Sequence, residues 1–133
     1  MRFQAKFTGI STVALLASAL AISTSVGMAP AASAHAVFVA SSPAKNSVVT
    51  SMPKTVSVRF DDKIIEIAGK HANVLSVTDS KGHLVSTGFA QVTGSTDSTA
   101  IKSGTAKGRV TVSWRVVSDD GHPVTGIAFF TLK

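Results

Sequence analysis

Four histidines, His35, His71, His83 and His122, carry most of the chemical potential of this chain, which has no cysteine and no tyrosine. Two of them occupy unusual places. His122 stands in Ser118-Asp119-Asp120-Gly121-His122-Pro123. In extended backbone, side chains two residues apart emerge on one face, so Asp120 and His122 present a carboxylate beside an imidazole. Gly121 adds no side chain between them, and Pro123 stiffens the exit. His35 directly follows Ala32-Ser33-Ala34, which fits the small-x-small pattern of an export cleavage site. Cut there, the chain would begin at His35, and one residue would offer an α-amine and an imidazole to the same metal. An amine, two imidazoles and a carboxylate make a tetragonal N,O set that suits Cu(II), the strongest binder of the divalent series. Soft donors for Cu(I) are nearly absent, because Met52 is the one methionine after residue 34. The plainer alternative is that Asp119-Asp120-Gly121 is only a hairpin turn, since Asp-Gly is common there. His71 and His83 sit beside lysines in turn-rich stretches and read as solvated surface.

The histidine at position 35 matters only if the preceding segment is removed. Residues 1–34 read as a secretory signal peptide: Arg2 and Lys6 make a positive start, and Ile10–Val26 is almost wholly apolar or small. Ser and Thr interrupt that run, which argues against a retained spanning anchor. Residues 35–133 then form the mature domain. Losing Arg2 and Lys6 from 13 basic residues leaves eleven against seven acidic ones, a net +4. With few aromatics and no basic run, nucleic acid is not an expected partner. No later stretch is long and apolar enough to span a bilayer, so the mature domain is expected to be soluble in the periplasm, the cell envelope or the medium.

The elements that must position these residues read as strands. Val110, Val112, Trp114 and Val116 alternate with Thr111, Ser113 and Arg115, and Val56, Val58 and Phe60 alternate with Ser57 and Arg59. Further strands are predicted at 36–40, 73–78, 84–91, 98–102 and 125–132, separated by Ser-, Gly-, Pro- and Asp-rich turns. Residues 63–72 read as a loop. Seven strands in about 100 residues predict an all-β, Greek-key β-sandwich, immunoglobulin-like or cupredoxin-like, without a disulfide. Its expected core is Val37 or Phe38 with Val56, Val58, Phe60, Leu75, Val77, Val112, Trp114, Val116 and Phe129.

Three blocks of this sequence resemble the CopC family of exported bacterial copper-resistance proteins. They are His35-Ala36-Val37-Phe38 with Ser41-Ser42-Pro43-Ala44, then Met52 through Asp62, then Val112-Ser113-Trp114-Arg115-Val116-Val117-Ser118-Asp119-Asp120-Gly121-His122-Pro123-Val124-Thr125-Gly126. The resemblance implies a β-sandwich that holds one Cu(II) per chain for sequestration, resistance or delivery. Its ligands would be His35 (amine and imidazole), Asp120 and His122. Asp62 falls where some members have a Glu near the metal, which makes it a weak fourth ligand. The methionines that give some members a Cu(I) site are missing. Some relatives are fused to a membrane domain, so a separate membrane copper-transport protein is the partner implied for this chain, which is expected to be a monomer.

Two other classes compete. A terminal-histidine copper centre on a sandwich also serves polysaccharide-oxidising monooxygenases, but about 100 residues leave little room for a sugar-binding face. A non-metal immunoglobulin-like binding module would need an exposed apolar patch. The expectation is therefore a copper-binding protein and not an enzyme.

Overall fold

The structure, a computed structural model, describes residues 35–133; the signal peptide expected over residues 1–34 lies outside the described residues. Eight strands follow in order: β1 (Phe38–Ser42), β2 (Val48–Val49), β3 (Thr55–Phe60), β4 (Val74–Thr78), β5 (Ser86–Thr93), β6 (Thr96–Ile101), β7 (Gly108–Val117) and β8 (Pro123–Leu132). They form two four-stranded sheets, β1-β3-β6-β5 and β2-β8-β7-β4. The all-β sandwich is as expected, with eight strands where seven were predicted. The extra strand, β2, is two residues long and pairs in parallel with the end of β8. Two residues carry no periodicity, so only tertiary pairing reveals it.

Alternation places the core. Val110, Val112, Trp114 and Val116 on β7 are buried against Val56, Val58 and Phe60 on β3 and Leu75 and Val77 on β4. Trp114 is the largest side chain among them, and it needs a flat partner on β8. Gly126 lies opposite it, and a Cβ there would come within 2.3 Å of Trp114 Cζ2.

Two expectations for the core change. Phe129 is not the inward aromatic of β8; Phe130 is, at 2% exposure. Phe129 pairs across from Thr111 on the outer face, where the Arg109 guanidinium sits 3.7 Å from its ring centroid. Adjacent phenylalanines look alike to a pattern, yet a one-residue slip turns every side chain to the other face, and the β7–β8 register settles which is inside. Near the start, Val37 is half exposed, while Phe38 stacks on Trp114 with ring centroids 4.9 Å apart. Ile64, Val85 and Asp97 are also buried and were not anticipated; Asp97, the second residue of β6, is 0% exposed.

Three features of this fold position the histidines. The β7–β8 hairpin turns at Val117–Pro123, and carries Asp120 and His122 at its tip. The start of β1 is tied to the end of β3: the Val37 N–H donates to Asp61 Oδ1 at 2.6 Å, and the Asp61 N–H donates to Val37 O at 3.0 Å. The loop after β3 closes on the hairpin. There Ile64 bridges to Ser118, the Ile65 N–H donates to Val117 O at 2.9 Å, and the Val117 N–H donates to Asn73 Oδ1 at 2.8 Å. Asn73 Nδ2 returns to Ile65 O at 2.9 Å, so one buried amide side chain locks loop and strand together.

Candidate metal centre

The tip of the β7–β8 hairpin is a three-residue connection, Asp119-Asp120-Gly121. The Gly121 N–H donates to Ser118 O at 2.8 Å, and the Ser118 N–H donates to His122 O at 3.0 Å. Gly121 has a φ of 84°, the left-handed conformation that this kind of loop needs at its last position. Asp120 and His122 thus come together on a tight turn and not on the extended backbone from which their spacing was first read. Asp-Gly does make a hairpin turn here, and that same turn aims both side chains outward to one point.

Asp120 is held from several sides. Its Oδ1 accepts from the Ser118 hydroxyl and from the His122 N–H, the latter at 3.1 Å. Its Oδ2 faces two imidazoles, with His35 Nδ1 at 2.8 Å and His122 Nδ1 at 3.0 Å. The Ser118 hydroxyl is the main reason the carboxyl stays well below the usual carboxylate range; partial burial opposes it, and the His122 backbone and the two rings add to it. The two imidazoles meet edge to face with centroids 5.0 Å apart. One donor atom from each of His35, Asp120 and His122 lies within 4.8 Å of the others. His35 precedes β1 and His122 precedes β8, strands of opposite sheets, so they meet through the packing of the two sheets.

The donors of this set are ones that could hold a cation. Each Nδ1 contact to Oδ2 requires a proton on that nitrogen, and a metal ion could take the place of those protons while keeping the same neighbours. The nitrogen of His35 that faces Asp120 is Nδ1, the one that would close a six-membered ring with the α-amine if the chain were cut before His35. The site is open: the side chains of His35 and His122 are 55% and 66% exposed, against 20% for Asp120.

The other sequence-predicted groups lie elsewhere. Asp62 stands outside the converging trio and caps its own neighbour, accepting from the Lys63 N–H at 2.7 Å. Asp61, its neighbour in the chain, is the acid that fastens the chain next to His35. His71 stacks on Phe89 with centroids 3.5 Å apart, and His83 lies 3.5 Å from Asp79 Oδ2. Sequence reasoning also passed over Ser118, although its place four residues before His122, at the base of a three-residue loop, is a signal for it.

Comparison with known proteins bears on the family and the fold. The CopC domain family matches residues 38–133. The chain is 32% identical over 102 residues to the copper transport protein CutJ of Bacillus subtilis (strain 168), a match that covers 74% of this chain but 18% of that protein. Thus the chain spans about a fifth of the length of that relative. Among solved structures, CopC from Methylosinus trichosporium OB3b superposes with a TM-score of 0.64 at 29% identity, covering 74% of this chain and 94% of that one. PcoC, a methionine-rich copper resistance protein from Escherichia coli, shares the fold with a TM-score of 0.61 at 24% identity, covering 75% and 100%. Two of these relatives are named for copper transport and copper resistance. With a match over nearly all of its described residues, the chain belongs to the CopC domain family.

Proposed function

We propose that this chain is exported, is cut before His35, and holds one Cu(II) as cargo for sequestration or delivery. The α-amine and Nδ1 of His35, Oδ2 of Asp120 and the imidazole of His122 bind the ion. The observation that carries this reading is the meeting of His35 and His122 at one oxygen of Asp120, from positions 85 and 2 residues away. Two imidazoles and a primary amine favour Cu(II) over harder cations, and the carboxylate offsets part of its charge. All four donors must be deprotonated to bind, so acid should release the metal. The exposure of both rings leaves room for an incoming ligand from an acceptor, which suits a monomer that passes copper to a separate membrane transport protein.

The test is a Cu(II) titration of protein beginning at His35, followed by electron paramagnetic resonance, beside the same protein with one extra residue before His35. Saturation at one equivalent with a nitrogen-rich tetragonal spectrum, lost in the extended form, is the expected result. Equal binding by the two forms would refute the terminal chelate. His122→Ala should abolish tight binding and leave the fold intact; a variant that binds like the native protein would remove His122 from the site.

A further inference from the structure

We infer that Ser118 is a positioning residue that makes Asp120 a one-oxygen ligand, reserving Oδ2 for the metal by occupying Oδ1. The inference rests on the copper reading above and extends it to a residue that never touches the ion.

Ser118 is fully buried immediately after the end of β7, directly beneath the hairpin loop. Its hydroxyl has one proton and two neighbouring acceptors, Asp120 Oδ1 and His122 O, the latter at 3.0 Å. His122 O already accepts from the Ser118 N–H at 3.0 Å. The hydroxyl proton is therefore free for the carboxylate, which as a charged acceptor forms the stronger bond. Together with the His122 N–H at 3.1 Å, it fills the lone pairs of Oδ1 that point back into the protein. Oδ2 is left facing both imidazoles. A free carboxylate on an exposed loop can rotate, and can chelate a metal through both oxygens. This one is fixed at its far oxygen, so its near oxygen is presented at a set distance and direction. Partners of this kind, which orient a ligand without touching the metal, commonly change metal affinity by roughly 10–100-fold when removed.

The tests use the mature protein with Cu(II) alone. Ser118→Ala is expected to weaken Cu(II) binding at least about 10-fold in competition with a chelator. It should also shift the copper hyperfine pattern, because Asp120 can then rotate. Ser118→Thr keeps the hydroxyl and should restore the native pattern. A purely structural role would lower the melting temperature and leave the spectrum of the bound copper unchanged. X-ray absorption on the native protein decides the question even if Ser118→Ala fails to fold: the expected signal lacks the short metal–carbon distance of a chelating carboxylate. A chelating carboxylate in the native protein overturns the inference. So does a folded Ser118→Ala variant with native affinity and spectrum. Native-like binding by His122→Ala would instead mark a failure of the copper site itself, and Ser118 would lose its role with it.

Discussion

Asp97 offers a sharp physical test of this fold. It is the second residue of β6, between Val58 of β3 and Val92 of β5, with 0% of its surface exposed. Neither carboxylate oxygen has a hydrogen-bond partner. Burial pushes its pKa from 3.8 to about 6; the nearby Ser98 N–H opposes the rise without reaching bonding geometry, and the Glu66 charge adds to it. A raised pKa means that the folded protein holds a proton that the unfolded chain has already lost, over the window from 3.8 to about 6. Stability must then rise as the pH falls through 6, and the gain is complete below 3.8. At ~1.4 kcal/mol per decade of proton affinity, the group makes the domain about 3 kcal/mol more stable at the acid end of that window. For a domain of this size that is a melting difference on the order of 15 °C. Asp97→Asn removes the ionisation and nearly keeps the shape. The assay is urea unfolding of the metal-free mature protein, followed by Trp114 fluorescence from pH 4 to 7.5. Subtracting the variant from the native protein cancels titrations common to both. Asp79 and Asp120 have lowered values, so what they contribute is lost at still lower pH and does not overlap. The native-minus-variant difference should change by about 3 kcal/mol across the window, in favour of the native protein in acid. A difference that stays flat, or one that grows as the pH rises, would refute the placement of an unpartnered carboxylate in the core.

Other expectations can be checked with the same protein. Gly126→Ala should cost at least about 1–3 kcal/mol in urea unfolding, because its methyl group meets the Trp114 ring and the ring must shift; unchanged stability would mean that the ring has room. Phe130→Ala should cost about 3–5 kcal/mol, whereas Phe129→Ala should lose no more than about 1 kcal/mol with its Arg109 contact. The reverse order would place β8 one residue out of register. His71→Ala and His83→Ala should each retain one Cu(II) with the native paramagnetic spectrum, since neither belongs to the converging trio; loss of the ion in either variant would move the site.

Much of this protein was legible in its sequence because the relevant signals are local. The period-two pattern of Val110–Val116 and Thr55–Phe60 follows from the alternation of side chains along any strand, and those strands run where it marked them. His35, Asp120 and His122 stood out through residue type and context, and the CopC resemblance lay in contiguous blocks. What the sequence left open depended on registers between distant segments. Phe129 and Phe130 are equal as neighbours in a chain and become different only when Thr111 is set opposite the first of them. Asp62 was marked by the resemblance and Asp61 by nothing; once the end of β3 meets Val37, Asp61 fastens the chain beside His35 while Asp62 caps Lys63. Asp97 reads as an ordinary surface acid until β6 pairs between β3 and β5 with that face inward. Residue chemistry by itself marked the donors, because donor atoms belong to residue types. Which oxygen of Asp120 faces the imidazoles was decided by tertiary structure, because that requires two sheets and a buried hydroxyl in fixed relation.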